Sequence, residues 1–245
     1  MFVHNLNPVL LDFGFIQIRY YGLFYVIGFL FSIWWLRKFS KLEKEAIYDM
    51  FFYLVLGLII GARAAIVLIY DPVFYFTHPH EIIAFWHGGM SFHGGLVGTV
   101  IAGWLYSRKR KLNFWHIADI LVLPASLSMA LVRIGNFING ELYGIVSNLP
   151  WCVKFPGVEG CRHPSQIYES FYNIVNFTIL WFLSKKKHKD GYIFWSFVFF
   201  YGIFRFITEF VRFSEIKILI FSGGQILCSI MIIAGAIMMW KLKKK

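Results

Sequence analysis

Charge is what this chain has least of. Only 15% of its 245 residues are Asp, Glu, Lys or Arg, and just 13 are acidic. Soluble domains carry about a quarter charged residues. Together with an apolar fraction of 58%, this points to a polytopic membrane protein. Cysteine is scarce as well: there are three, with no C-x-x-C and no H-E-x-x-H spacing. Neither a metal site nor another cofactor is expected. The alternating strands of about ten residues that a closed barrel needs are missing. No basic region precedes the first apolar run and no small-residue cleavage site follows it, so that run is expected to be retained as a span. Internal repeats, low-complexity tracts and a soluble domain are absent too.

What is present is long apolar runs. Seven can be read, at about 20–36, 46–70, 88–107, 114–135, 166–184, 191–211 and 218–240. Each approaches the about 20 residues a helix needs to cross the hydrocarbon. The expected fold is an all-α integral membrane protein, one polytopic domain over 1–245, with small arm or head segments at about 71–87 and 140–165. The net charge of +11 would ordinarily suggest nucleic acid. Its distribution argues otherwise. Arg37/Lys38/Lys41/Lys44, Arg108 to Lys111, Lys185/Lys186/Lys187/Lys189 and Lys241/Lys243/Lys244/Lys245 follow runs one, three, five and seven. Basic short loops stay cytoplasmic. Seven spans with the N-terminus outside and the C-terminus inside satisfy all four clusters, and contact with anionic lipid accounts for them without a nucleic-acid partner. The two longer connecting segments then share the outer face.

Several polar residues lie where lipid is expected and need a reason. Arg63 and Asp119 interrupt runs two and four; they either brace the bundle, as an Arg–Asp pair or by snorkelling, or touch a substrate. His93 lies in Gly88-Gly-Met-Ser-Phe-His93-Gly94-Gly95. It either bonds a neighbouring helix or uses the space its glycines leave for a ligand. Run four leads into Arg133-Ile-Gly-Asn136-Phe-Ile-Asn139-Gly-Glu141-Leu-Tyr-Gly144. In run six, Tyr201, Arg205 and Glu209 recur every four residues and share one helix face, with Arg205 and Glu209 able to pair and Arg212 following. Few acids stand near Arg133 and Arg205 in sequence. Guanidinium groups bind phosphate bidentately, and a phospholipid head group is the anion nearest at that depth. In Arg162-His163-Pro164-Ser165-Gln166-Ile-Tyr168-Glu169, Ser165 reads as a helix cap, while His163 and Gln166 could equally face a cavity. Tyr20, Tyr21, Trp34, Trp35, Trp86, Trp104 and Trp115 fall near span ends, as an interfacial belt does. Tyr21, beside Gly22, is set apart as a candidate for chemistry. Cys152 and Cys161 either form a bridge or remain two thiols, and Cys228 reads as small apolar packing.

Taken in order, the blocks around His93, Arg133 to Gly144, Arg162 to Glu169 and Tyr201-Gly-x-Phe-Arg205-x-x-x-Glu209-Phe-x-Arg212 resemble the bacterial prolipoprotein diacylglyceryl transferase family, from about Tyr20 to the C-terminus. The resemblance implies an enzyme of the bacterial cytoplasmic membrane with its active site toward the outer leaflet. Such enzymes move the diacylglyceryl group of phosphatidylglycerol onto the lipobox cysteine of a prolipoprotein, forming a thioether and releasing glycerol phosphate. The nucleophile is the substrate's own. By the same resemblance His93, Arg133, Arg205, Glu141 and Tyr21 would be catalytic. Arg133, Asn136, Asn139, Gly144, Tyr201, Arg205 and Glu209 would hold the phospholipid. Two departures enlarge small packing residues: Val132 stands where the family tends to have glycine, and Gly61-Ala62-Arg63-Ala64-Ala65 replaces a more glycine-rich run. The segment before Arg162 is also short. A competing class, an anion transporter using Arg133 and Arg205, predicts paired broken helices in two halves, and no repeated halves are seen. A retinal-type receptor would need a lysine in run seven, which has none. A structural scaffold has no need of intramembrane arginines.

Overall fold

The structure is a computed structural model that describes residues 2–84, 88–213, 217–218 and 221–243. Trp86 of the expected aromatic belt, and Lys244 and Lys245 of the last basic cluster, lie outside the described residues. Helices dominate: α1 Tyr20–Phe39, α2 Lys44–Ala65, α3 Pro72–Thr77, α4 Phe92–Lys109, α5 Phe114–Asn139, α6 Ser165–Ser184, α7 Tyr192–Glu209 and α8 Gly223–Leu242. All seven apolar runs therefore become helices. Four of them are long and apolar enough to cross a membrane: α1, α2 with its continuation to Tyr70, α5 and α8. The other three, α4, α6 and α7, are 18–20 residues long and interrupted by polar side chains.

The run boundaries shift where backbone chemistry overrides hydropathy. The helix of the third run, α4, starts at Phe92 rather than 88, because Gly88 and Gly89 adopt φ of 91° and 70°, left-handed values no helix tolerates. Ser91 then caps it, its Oγ accepting from the Gly94 N–H at 3.3 Å. The last helix starts at Gly223 rather than 218, behind a capping box of Ser222 and Gln225. The helix of the fourth run, α5, runs on to Asn139 instead of 135, so Arg133, Asn136 and Asn139 are all helical.

The chain divides into two compact units, 36–117 and 1–35 with 118–245. In the first, α2 and α4 form an antiparallel hairpin along a stripe of small residues. A Cβ on Gly98 would stand 2.0 Å from the Gly57 carbonyl oxygen, and one on Gly94 would stand 2.4 Å from Ala65 Cβ. The extra methyls of Ala62 and Ala65 on α2 are thus met by glycines on α4, which keep the backbones close. Beyond Arg63 the helix loosens into a π segment, Ile66–Tyr70, before α3 and a 3₁₀ turn at Pro79–Ile82.

In the second unit, α5, α6 and α7 bury Val122, Leu123, Leu180 and Ile193 together with Trp35 of α1. Trp35 is 7% exposed and packs edge-on to Trp181, so it belongs to the core and not to the interfacial belt. The N-terminal arm is a hairpin, Val9–Asp12 paired with Gln17–Arg19, that runs directly into α1. Phe2–Val3 pairs in parallel with Val153–Lys154. Cys152 and Cys161 are bridged, with Cα atoms 5.5 Å apart, which settles the two readings left open by the sequence. Cys228 is buried and reduced.

Candidate active site

Arg133 lies on the last turns of α5. Its Nε is 2.7 Å from Glu169 Oε2, and its Nη1 donates to Asn136 Oδ1 at 3.0 Å. Asn136 Nδ2 donates in turn to Glu141 Oε1 at 2.8 Å, and Asn139 Nδ2 reaches the same oxygen at 3.2 Å. The polar run is therefore one relay of side chains, passing from a guanidinium through an amide to a carboxylate.

Glu169, on the second turn of α6, is the hub. It is 1% exposed and receives Arg133, Arg212 Nη1 at 2.5 Å and, more distantly, Arg205 Nη1 at 3.7 Å. Arg205 pairs one turn along its own helix with Glu209 Oε2 at 2.6 Å, as the spacing of four predicts. Glu209 Oε1 also accepts the Ser222 hydroxyl at 3.0 Å. Among the described residues, three arginines thus meet two carboxylates directly, Glu169 and Glu209, and a third, Glu141, is joined to Arg133 through Asn136. This corrects the expectation that Arg133 and Arg205 are short of acidic partners. The acid that serves both comes from a third helix. Glu169 and Arg212 are site residues beyond those expected from the sequence; both lie within the motif blocks, but their contacts join residues far apart in sequence.

The neighbouring segment is held by backbone. Gly144 N–H donates to the His163 carbonyl at 2.9 Å, and Gly144 bridges to Arg212 in antiparallel fashion. A Cβ there would lie 2.3 Å from the Val211 oxygen, so glycine is required for the close approach. Ser165 does not cap α6. It is the first helical residue, after Pro164, and its hydroxyl donates to the Leu142 carbonyl at 2.8 Å. Gln166 Nε2 donates to the Glu141 carbonyl at 2.5 Å, and His163 Nδ1 lies 3.2 Å from the Tyr168 hydroxyl. Burial holds the His163 ring below the ordinary histidine range. Arg162 spreads its donors over the carbonyls of Glu159 and Gly144.

Two cavities flank the cluster. One, of about 410 Å³, is lined by Gly140, Glu141, Leu142, Tyr143, Arg212 and Phe213 and has both a carboxylate and a guanidinium in its wall. The other, of about 450 Å³, is an apolar groove between α6 and α7 bounded by Phe171, Tyr172, Val175, Phe204 and Ile207. Tyr201 stacks on Phe197 and meets Tyr172 edge-on at 5.7 Å, one turn before Arg205. Tyr21 contacts α5 where Gly135 has no side chain, and its hydroxyl lies 3.1 Å from that of Tyr25.

Arg63 and Asp119 are each satisfied by backbone groups of their own unit, in keeping with the bracing reading. Asp119 accepts the Gly191 and Phe194 N–H groups at 2.8 Å each and so caps α7 from α5. Arg63 donates to main-chain carbonyls within its own unit. His93 lies in that same unit, in the first turn of α4.

The family model described as prolipoprotein diacylglyceryl transferase matches residues 8–241, which adds the N-terminal hairpin to the stretch identified from motifs. A phosphatidylglycerol–prolipoprotein diacylglyceryl transferase of Geobacter sulfurreducens is 39% identical over 245 residues, covering 96% of this chain and 94% of the relative. Proteins of the same name from Nitratidesulfovibrio vulgaris and Cupriavidus metallidurans are each 40% identical, over 98% and 100% of this chain and 94% and 97% of their own lengths. With the motif blocks in order and the match running nearly end to end, this chain belongs to the prolipoprotein diacylglyceryl transferase family.

Proposed function

We propose that this protein transfers the diacylglyceryl group of phosphatidylglycerol to the lipobox cysteine thiol of prolipoproteins, the first step of lipoprotein maturation. One observation carries the reading: Arg133, Arg205 and Arg212 converge on the buried Glu169 beside a cavity walled by Arg212 and Glu141. Guanidinium donors gathered in this way suit a phosphodiester.

The substrate sulfur attacks the glyceryl carbon that bears the phosphate ester. A carbon–sulfur bond forms, the carbon–oxygen bond breaks, and glycerol phosphate leaves with one more negative charge. Arg133 and Arg205 bind the head group and stabilise that charge as it develops. Each well-placed donor is worth about 3–4 kcal/mol. Glu169 and Glu209 hold the guanidinium planes, while Asn136, Asn139 and Glu141 offer partners for the glycerol hydroxyls. Tyr21 and Tyr201 are proposed hydrogen-bond donors at the edge of the site, and Gly144 keeps the segment beside Arg212 close. The groove between α6 and α7 suits an acyl chain, being apolar and beside Glu169 and Arg205 through Tyr172. A cysteine thiol, of pKa about 8.5, is only slightly ionised at neutral pH. His93 is the proposed base that takes its proton.

The proposed placement is a bacterial cytoplasmic membrane, with seven spans, the N-terminus outside, the C-terminus inside and the site toward the outer leaflet. It is supported by the basic clusters that follow alternate apolar runs. The deciding experiment incubates purified protein with phosphatidylglycerol and a lipobox peptide, then weighs the peptide. The expected result is a diacylglyceryl mass gain on the Cys peptide and none on a Cys→Ser control. No gain on the Cys peptide overturns the proposal.

A further inference from the structure

We infer that Arg63 is a positioning residue for His93: it clamps the backbone that leads into α4 and so fixes where the imidazole sits. The inference rests on the reading of His93 as the thiol base.

A guanidinium has five N–H donors in a rigid fork. All five are used. Nε donates to the Ile82 carbonyl at 3.0 Å, and Nη1 donates to the carbonyls of Gly88 and Gly89 at 2.6 and 2.9 Å. Nη2 donates to the carbonyls of Glu81 and Ala84. The side chain is 7% exposed, and its Cζ lies 4.9 Å from the centre of the Tyr75 ring. No donor is left over for a phosphate, so Arg63 acts on the protein's own chain and not on the phospholipid.

The two stretches it joins are the 3₁₀ turn before α4 and the glycines that open the approach to it. Gly89, at φ 70°, has no room for a side chain: a Cβ would lie 2.9 Å from Arg63 Nη1 and 3.0 Å from the Tyr75 hydroxyl. Two residues later the Ser91 N–H donates to the carbonyl of Ala62, the residue next to Arg63, at 3.0 Å. Ser91 then caps α4 through Gly94, and His93 falls between them. Arg63 and its neighbour therefore tether the backbone two and four residues ahead of the imidazole. Without the clamp these carbonyls lose their shared partner, and the start of α4 is free to shift. A shift of about 1 Å at a reacting group can cost about 10²-fold in rate.

The test uses the full-length protein in phospholipid nanodiscs, comparing wild type, Arg63→Lys, Arg63→Gln, His93→Gln and the Arg63→Lys/His93→Gln double variant. Lysine keeps the charge but supplies one nitrogen where two stretches must be spanned. Hydrogen exchange is expected to quicken at 79–84 and 88–95 in both Arg63 variants while α5 to α7 stay as in wild type. Unchanged exchange at those segments overturns the clamp. For transfer, kcat is expected to fall about 10²-fold with KM for lipid and peptide within about twofold, and the loss should vanish in the His93→Gln background. Losses that multiply in the double variant, or a rise in KM with kcat intact, overturn the link to His93. A wild-type protein that shows the expected exchange but transfers nothing refutes the transfer reading and leaves the clamp standing.

Discussion

At the scale of single residues, the arginine cluster divides labour between charge and support. Arg133→Ala and Arg205→Ala each remove a proposed phosphate donor while leaving Glu169 two other guanidinium groups. Each variant should insert normally and lose about 10²–10³-fold of its transfer rate, read as peptide mass gain per unit time. Full activity in either would remove the phosphate clamp from the mechanism. Glu169→Gln is different, because it leaves three arginines facing one another around a neutral amide. Uncompensated buried charge costs about 3–5 kcal/mol, so this variant should unfold at a clearly lower temperature in detergent, and a wild-type Tm would show that Glu169 is not the hub. His163 gives a pH dependence. Burial holds its folded pKa below the ordinary value of about 6.5, so unfolding takes up a proton in the interval between the two. The stability this group contributes is complete above about pH 6.5 and drains away as the pH falls toward the folded pKa. Thermal scans from pH 7 to 5 should show a falling Tm whose slope flattens in His163→Asn, and equal slopes would count against it.

At the scale of elements, the α2–α4 hairpin depends on having no side chain at Gly98. Gly98→Val inserts methyl groups against the Gly57 carbonyl and should cost at least about 1–3 kcal/mol. Gly14→Ala, in a hairpin turn with no atom within 4 Å of a Cβ, should cost little beyond backbone strain. Comparing proteolysis rates of the two checks the claim. Elements also show what the sequence could and could not reveal. Arg205 and Glu209 were legible because a helix puts residues four apart side by side. Glu169 was not, because its three arginines come from α5 and the end of α7, and no local spacing encodes that meeting. Arg63 was visible as an anomaly, but its partners are carbonyls, which every residue has and no residue type announces. The start of α4 was misplaced because Gly88 to Met90 continue the apolar run, while positive φ at two glycines decides the backbone.

At the scale of the whole molecule, long apolar runs revealed the seven longest helices, and hydropathy alone supports four of them as spans. The inside–outside assignment is carried by the basic clusters, and it makes a prediction. In intact spheroplasts an impermeant maleimide should label Phe15→Cys, at the 86% exposed tip of the hairpin, and spare Lys243→Cys until the membrane is opened. The reverse pattern would turn the topology over. Native cysteines do not confuse the readout, since two are bridged and Cys228 is buried. The shared carboxylate has one more consequence, which concerns how the protein is made. Synthesis runs from the N-terminus, so α5 delivers Arg133 to the bilayer before α6 brings Glu169, and Arg205 and Arg212 arrive later still. A lone arginine in lipid is costly. On the proposed topology, α5 is expected to stay at the translocon or the interface until α6 brings the carboxylate of Glu169.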